Sequence, residues 1–303
     1  MRRKIGVALC ILGVLLTVFG IVWMTVVWPS LAKVPADLEQ QVDLQGTVSL
    51  YGAGSFDVIG HRKYTAVKAS EDIVYLHEDV WFDLAGTDPP QELEQLREAF
   101  FLGIDRVTRQ NLEGRGDGIG GGHYSFPFNV SKDKVYPFWN EKNPENLYCR
   151  YDGETNFEGL HIYIFKMSTP EEGLTTPASF DMPEMRIDQK ITLYVEPVSG
   201  ATVRMESTTK RSGTIPVPDE LYPATGPVTN KAVTFYEDNL TFTQDTIDDL
   251  VGQAKSAKTQ VTLAKNLLPW LSIGSGIVLI ALGVFLALKA SKSVASAEEK
   301  AGS

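Results

Sequence analysis

The pattern of apolar and polar positions divides the chain into two charge-free runs and a mixed middle. Residues 5–28 and 267–288 contain no charged side chain over 24 and 22 positions. A helix rises about 1.5 Å per residue, so each run is long enough to cross a hydrocarbon core of about 30 Å. Between them the pattern is that of short strands. Residues 73–84 alternate: Val74, Leu76, Val80, Phe82 and Leu84 fall on one face with Glu78 interrupting, and Tyr75, His77, Asp79, Trp81 and Asp83 fall on the other. Further strands are predicted at 100–108 and at 160–167, the latter apolar on both faces except His161 and Lys166. Residues 191–196 and 201–207 read as a hairpin turning at Ser199-Gly200, and 232–236 with 240–242 as a last pair. Two helices are expected. Residues 90–97 form a short polar one. Residues 243–265 form a longer one, with Asp245, Asp248 and Asp249 near its positive end and a stripe of Ile247, Leu250, Val251, Ala254, Ala257 and Val261. That stripe packs against the sheet or meets a partner. Pro269 should kink or break the helix near Lys265.

The fold class expected is a membrane-anchored chain: two terminal transmembrane helices around a mainly antiparallel β, barrel-like α+β ectodomain. The segments are a cytoplasmic N-terminus (1–4), a first span (5–28), an extracytoplasmic β-rich domain (30–266, including the juxtamembrane helix 243–265), a second span (267–288) and a cytoplasmic tail (289–303) of small polar residues without fixed structure. Orientation follows charge. Arg2, Arg3 and Lys4 precede the first span, and Lys289 and Lys292 follow the second, so both termini face the cytoplasm of a two-pass plasma-membrane protein. Trp23, Trp28 and Trp270 then sit at the outward ends, where aromatic rings favour the headgroup layer. A cleaved signal peptide is the alternative for the first run. Its apolar core exceeds the roughly 7–15 residues of a signal sequence.

Glycines recur every seventh residue in both spans, as Gly6, Gly13 and Gly20 and as Gly276 and Gly283. A stripe of small residues lets helices approach closely. Either the two spans pack on each other or copies associate as a homo-oligomer.

Charge narrows the partners. The chain has 28 Lys+Arg and 38 Asp+Glu; after removing six basic and two acidic residues in the termini, the outer segment carries a net −14. Nucleic acid is not expected as a partner, since phosphate recognition needs basic patches. Of two cysteines, Cys10 lies in the first span and Cys149 is alone outside it, so no disulfide closes within the outer segment. Cys149 is a buried small hydrophobe or pairs between chains. Stability must come from a core, for which residues 30–266 suffice in one or two domains. Asn129-Val-Ser131 and Asn239-Leu-Thr241 match the glycosylation acceptor pattern.

Catalytic and metal signatures are missing. His61, His77, His123 and His161 show no metal-ligand spacing, and no phosphate-binding loop, nucleophile elbow or dinucleotide fingerprint occurs in a usable context. No enzyme activity, cofactor or metal is expected. The run Gly114–Gly122 contains Arg115-Gly116-Asp117 and reads as a loop tip. Six aromatics fall within residues 124–139, interrupted by Pro127 and Pro137. Such a cluster caps a core or lines an apolar site, and Phe126, Phe128, Tyr136, Phe138 and Trp139 are the candidate ligand-lining residues.

At these residues the chain resembles the prokaryotic membrane proteins grouped as PorA family porins. The matching features are Phe126-Pro-Phe128, Lys134, Tyr136-Pro-Phe138-Trp139, Ile104-Asp105-Arg106-Val-Thr108, Gly159-Leu160 with Tyr163 and Phe165, and Val195-Glu196-Pro197 with Gly200. Their order and both spans match, so the resemblance covers nearly the whole chain. It implies a prokaryotic membrane protein and brings no catalytic residues. The layout is also similar to that of class B scavenger receptors, whose β-rich ectodomain between two spans holds a lipid-carrying tunnel.

The expected function is non-enzymatic: the outer domain binds or transfers an apolar, lipid-like ligand at the cell surface, with membrane lipids as partners. The alternatives are a structural envelope protein assembling laterally through its spans, and a pore component.

Overall fold

The computed structural model describes residues 2–117, 121–138, 147–170, 173–176, 185–218 and 228–301. It divides into a helical unit (Met1–Lys33 with Ala257–Ser303) and a β unit (Val34–Ser256).

In the helical unit, α1 (Arg2–Val22) is followed by a wide π turn (Trp23–Val27) and the short α2 (Trp28–Leu31), which places Pro29 in its first turn. A second π turn (Thr262–Leu267) precedes α4 (Leu268–Ala301). The Pro269 nitrogen has no proton to give the carbonyl of Lys265, and the widened turn absorbs this without ending the helical path. α1 and α4 are antiparallel: Gly6 meets Gly283, Gly13 meets Gly276, and Gly20 meets Pro269 and Ile273. Trp23 donates from Nε1 to the carbonyl of Ala264 at 2.7 Å. Side chains turned away from the pair, Leu15 and Phe285 among them, are exposed. Both helices are long and apolar enough to cross a membrane. The tail, expected to lack fixed structure, continues α4 as far as Ala301; its Ala, Lys and Glu residues are good helix formers.

The β unit is a closed barrel. Its strands are β1 (Glu39–Leu50), β2 (Gly54–Ala69), β3 (Ile73–Leu84), β4 (Glu98–Asp105), β5 (Gln110–Gly116), β6 (Gly122–His123), β7 (Tyr136–Phe138), β8 (Leu147–Phe157), β9 (Leu160–Ser168), β10 (Leu174–Thr176), β11 (Met185–Val195), β12 (Thr202–Pro218) and β13 (Val228–Phe242). The ring runs β11-β12-β13-β1 and on in sequence order to β9, and closes where Tyr163–Ser168 pairs with Lys190–Val195 of β11. Of the described strands, twelve make the ring, and β10 shares the same edge of β11 through Met185–Ile187. Their pairing is antiparallel apart from one parallel bridge, His123 to Phe138. Closure gives each strand of the ring a paired neighbour on both sides.

Most inward side chains are apolar, and the outward faces carry most of the charged ones. Val42, Leu44 and Val48 of β1 are buried, with Glu39, Gln41, Gln45 and Thr47 more exposed between them. On β3 the buried face is Val74, Leu76, Glu78 and Phe82, as the alternation predicts. A transmembrane barrel has the inverse pattern, apolar outside and polar inside.

α3 (Gln244–Val261) follows β13. Thr243 caps it, its hydroxyl accepting from the Thr246 amide, and the Thr246 hydroxyl accepts from the Asp43 amide at 2.9 Å. Ile247, Leu250, Val251 and Ala254 are buried with Val42, Leu44 and Phe242 in the largest core cluster.

Several expectations are corrected. Residues 90–97 hold one 3₁₀ turn (Glu94–Leu96), because Glu92 bridges to Asp83 and extends the chain there. The strand expected at 100–108 is Glu98–Asp105; it stops where the Asp105 carboxylate accepts the amides of Val107 and Thr108. Residues 232–236 and 240–242 belong to one strand, β13. The polar Glu237-Asp238-Asn239 reads as a turn, yet Asp238 points inward and accepts from the Thr209 amide (2.8 Å) and the Tyr236 hydroxyl (2.8 Å). Pattern alone does not announce β1 and β2, whose inward positions include Gln40, Gly46, Gly60 and Arg62. At Gly60 the Phe82 ring of the neighbouring strand lies over the backbone, filling the space a side chain would take.

Candidate functional site: the cavity inside the barrel

The barrel interior is not filled. A cavity of about 410 Å³ and a second of about 210 Å³ share Leu44, Arg62, Gln189, Ile191 and Met205 in their walls. The larger lies in the range of roughly 300–1,000 Å³ usual for small-molecule sites. Its wall is mostly apolar: Val42 and Leu44 from β1, Leu147 from β8, Met167 from β9, Leu193 from β11, Met205 from β12, Phe242 from β13 and Leu250 from α3. Each arrives by the inward alternation of its strand or by the buried stripe of α3.

Polar groups gather in this wall at Arg62, Tyr64, Arg109, His123 and Tyr124. Arg62 pairs from Nε with the Oε1 of Glu78, a carboxylate with no solvent exposure. This explains the single acid on the apolar face of β3. Arg109 lies in the turn between β4 and β5 with φ of 61° and donates from Nη1 to the Phe126 carbonyl at 2.6 Å. Its guanidinium stands 4.2 Å from the centre of the Phe128 ring. Burial pushes the Arg109 pKa down to about 10, which leaves it a cation at neutral pH. Burial also lowers the pKa of His123, opposed by a hydrogen bond with the Thr108 backbone. It raises that of Tyr124 well above the ordinary phenol value, helped by nearby Tyr64 and Glu78.

The smaller cavity has its own polar wall. Arg211 lies 4.0 Å from Glu98 and over the Tyr236 ring, beside Asp238. Burial raises the Asp238 pKa against the lowering effect of its bonds to Tyr236 and Thr209.

The aromatic candidates take different places. Phe138 lines the larger cavity. Phe126 and Tyr136 are buried behind it with Phe165, their ring centres 4.9 to 5.8 Å apart, in a second core cluster that also holds Cys149. Phe128 is half-buried under Arg109. Trp139 lies outside the described residues. The Cys149 thiol is buried, and its pKa is pushed up to about 12. Asn129 is exposed, at a positive φ of 57°, and Asn239 is exposed on β13. Among the described residues no group of three or more His, Cys, Asp or Glu could hold a metal ion.

The motifs that carry the family resemblance meet in space. The amides of Asn129 and Val130 donate to the carbonyls of Val198 (3.0 Å) and Pro197 (2.7 Å), which docks the Phe126-Pro-Phe128 segment on the β11–β12 hairpin. Gly200, at φ 72°, lets that hairpin approach: a Cβ there would stand 2.4 Å from the Pro127 oxygen. Glu196 holds the turn, accepting the Ser199 amide at 2.7 Å and hydroxyl at 2.8 Å. Arg106 ties the β4 end to the carbonyls of Val34 and Ser70. Sequence reasoning missed Arg109 and Gln189 as wall residues. Their positions depend on partners distant in the chain, and only the placement of Arg109 just after the 104–108 motif offered a signal.

Solved structures give distant likenesses. A DUF1329 family protein from Desulfovibrio piger is 12% identical with a TM-score of 0.20, over 77% of this chain and 90% of its own. A LolA superfamily protein from Nitrosomonas europaea is 9% identical, TM-score 0.16, over 71% and 88%. A putative outer membrane lipoprotein-sorting protein domain from Vibrio parahaemolyticus is 6% identical, TM-score 0.21, over 76% and 95%. Likenesses this distant establish no function. No curated protein matches the chain. Residues 5–285 match the family model of the porin PorA, and the chain therefore belongs to the PorA porin family.

Proposed function

We propose that this chain is a non-enzymatic, membrane-tethered binding protein whose barrel takes up an apolar or lipid-like ligand inside and presents or transfers it at the cell surface. The observation that carries this reading is the unfilled interior of about 410 Å³, walled by Val42, Leu44, Leu193, Met205 and Phe242 within a closed sheet. Well-packed domains leave few voids larger than a water molecule, and apolar cavities of this size favour apolar guests. The sequence supplies the tether, since an apolar helix precedes the barrel and another follows it. The basic flanks support a topology with both termini in the cytoplasm and the barrel outside. On that topology the exposed Asn129 and Asn239 are candidate glycosylation acceptors.

The family name suggests a pore. The polar outer faces of β1 and β3 speak against strands that cross a bilayer, because lipid-facing positions need apolar side chains. Native mass spectrometry of the full chain tests the binding reading. After delipidation and transfer to a mild detergent, addition of palmitate or a lysophospholipid should give a saturable adduct of about one ligand per chain. Failure of every such lipid to add mass would overturn it.

A further inference from the structure

Three arginines reach the cavity walls, and their surroundings differ. Arg62 is paired with Glu78. Arg211 faces Glu98 at 4.0 Å, with Asp238 in the same wall. Arg109 is held by a carbonyl oxygen and the face of a phenyl ring, and no carboxylate pairs with it among the described residues. The described wall of the larger cavity contains no Asp or Glu, although the chain carries 38 acids against 28 Lys and Arg. Among the described residues, Arg109 is thus a cation without a paired carboxylate, in a wall whose other members are apolar or uncharged apart from the paired Arg62. Removing a charge from water is unfavourable unless an opposite charge completes it.

The position of Arg109 is also fixed beforehand. Its backbone is held by its amide donating to Asp105 (2.9 Å) and its carbonyl accepting from Tyr124 (2.8 Å). Its side chain is held by the Phe126 carbonyl and the Phe128 ring. A guanidinium keeps five donors in a planar fork, and Nη1 uses one on Phe126, so others remain for an oxyanion.

We propose that the ligand is an anionic amphiphile whose carboxylate or phosphate-monoester head seats on Arg109 while its hydrocarbon chain lies along Leu193 and Met205. This deepens the binding reading and rests on it. His123 and Tyr124 flank the head as neutral groups, the former a hydrogen-bonding partner without competing charge.

The test uses the full chain in amphipol, immobilised through a tag, with radiolabelled palmitate, hexadecyl phosphate and the uncharged hexadecanol. Palmitate or hexadecyl phosphate, or both, should bind at least about tenfold more tightly than hexadecanol, the gain of one good charge-assisted contact. Arg109→Gln should abolish that preference, and Arg109→Lys should keep most of it. A thermal unfolding transition like the parent's shows that the Gln variant is folded. Equal binding of all three lipids, or a preference that survives in Arg109→Gln, would overturn the anionic-head assignment with lipid binding intact. Binding of none of them above empty amphipol would overturn the underlying reading as well.

Discussion

Gly13 and Gly276 lie back to back between α1 and α4. A Cβ built on Gly13 would stand 2.5 Å from the Gly276 carbonyl oxygen, and one on Gly276 would stand 2.6 Å from that of Gly13. The same holds between Gly6 and Gly283, at 2.7 and 2.5 Å. The glycine stripes of the two spans are therefore spent on each other. Copies of the chain that associate within the membrane must use another face.

Gly13→Ile follows directly. No flexible side-chain end can relieve the clash, because backbone atoms are part of it, so the helices must separate. Cysteines introduced across the pair should cross-link in the parent and lose most of that cross-linking in the variant. Undiminished cross-linking would show that the stripe does not set the helix spacing. Gly274 is the control: a methyl group added there would meet nothing within 4 Å, and alanine should be tolerated.

Glu196 gives a stability prediction. It is fully buried and accepts both the amide and the hydroxyl of Ser199. Glu196→Ala strands two buried donors, at a cost of about 2–4 kcal/mol. Because the same turn receives the amides of Asn129 and Val130, the aromatic segment should loosen with it. Urea unfolding of the full chain in detergent measures the first effect, and hydrogen exchange at residues 126–130 the second.

Asp238 predicts a pH dependence. Burial raises its pKa, so the folded protein holds this proton to a higher pH than the unfolded chain does. Between the unfolded value near 3.8 and the raised folded value the native state binds more protons, and stability falls as pH rises through that window. Asp238→Asn has no proton to lose, and its amide can still meet Tyr236 and Thr209. The thermal midpoint of the variant relative to the parent should climb as pH rises above the unfolded value and then level off. A difference constant with pH would show that Asp238 ionises without penalty.

Cys149 predicts inertness. Its thiol is buried with a pKa pushed up to about 12, so the reactive thiolate is scarce at neutral pH. Maleimide should label it only after denaturation. Rapid labelling of the native chain would contradict its placement in the core cluster with Phe165 and Met167.

What the sequence made legible follows from locality. The two spans, the inward face of β3 with Glu78 among apolar residues, the β11–β12 hairpin at Gly200 and the start of α3 at Thr243 each announce themselves over a short stretch of neighbouring residues. β1, β2 and the unity of β13 do not. Their inward positions carry Gln40, Arg62 and Asp238, which are tolerable inside only because the facing strands supply partners or a cavity. The site was half legible for the same reason. Aromatic density pointed to residues 124–139, and Phe138 does line the cavity, but Phe126 and Tyr136 pack behind the wall. Arg109 reads as an ordinary polar turn residue until the chain returns at Phe126 to hold it.

The central claim is that the ligand sits inside the barrel. Photo-cross-linking of the full chain in amphipol with a diazirine-bearing fatty acid, followed by peptide mapping, tests it most directly. Adducts are predicted on inward residues such as Leu193, Met205 and Phe138, with loss of most labelling when Met205→Trp fills the space shared by both cavities. Adducts confined to α1, α4 or the outer faces of the strands, unchanged by Met205→Trp, would contradict the claim.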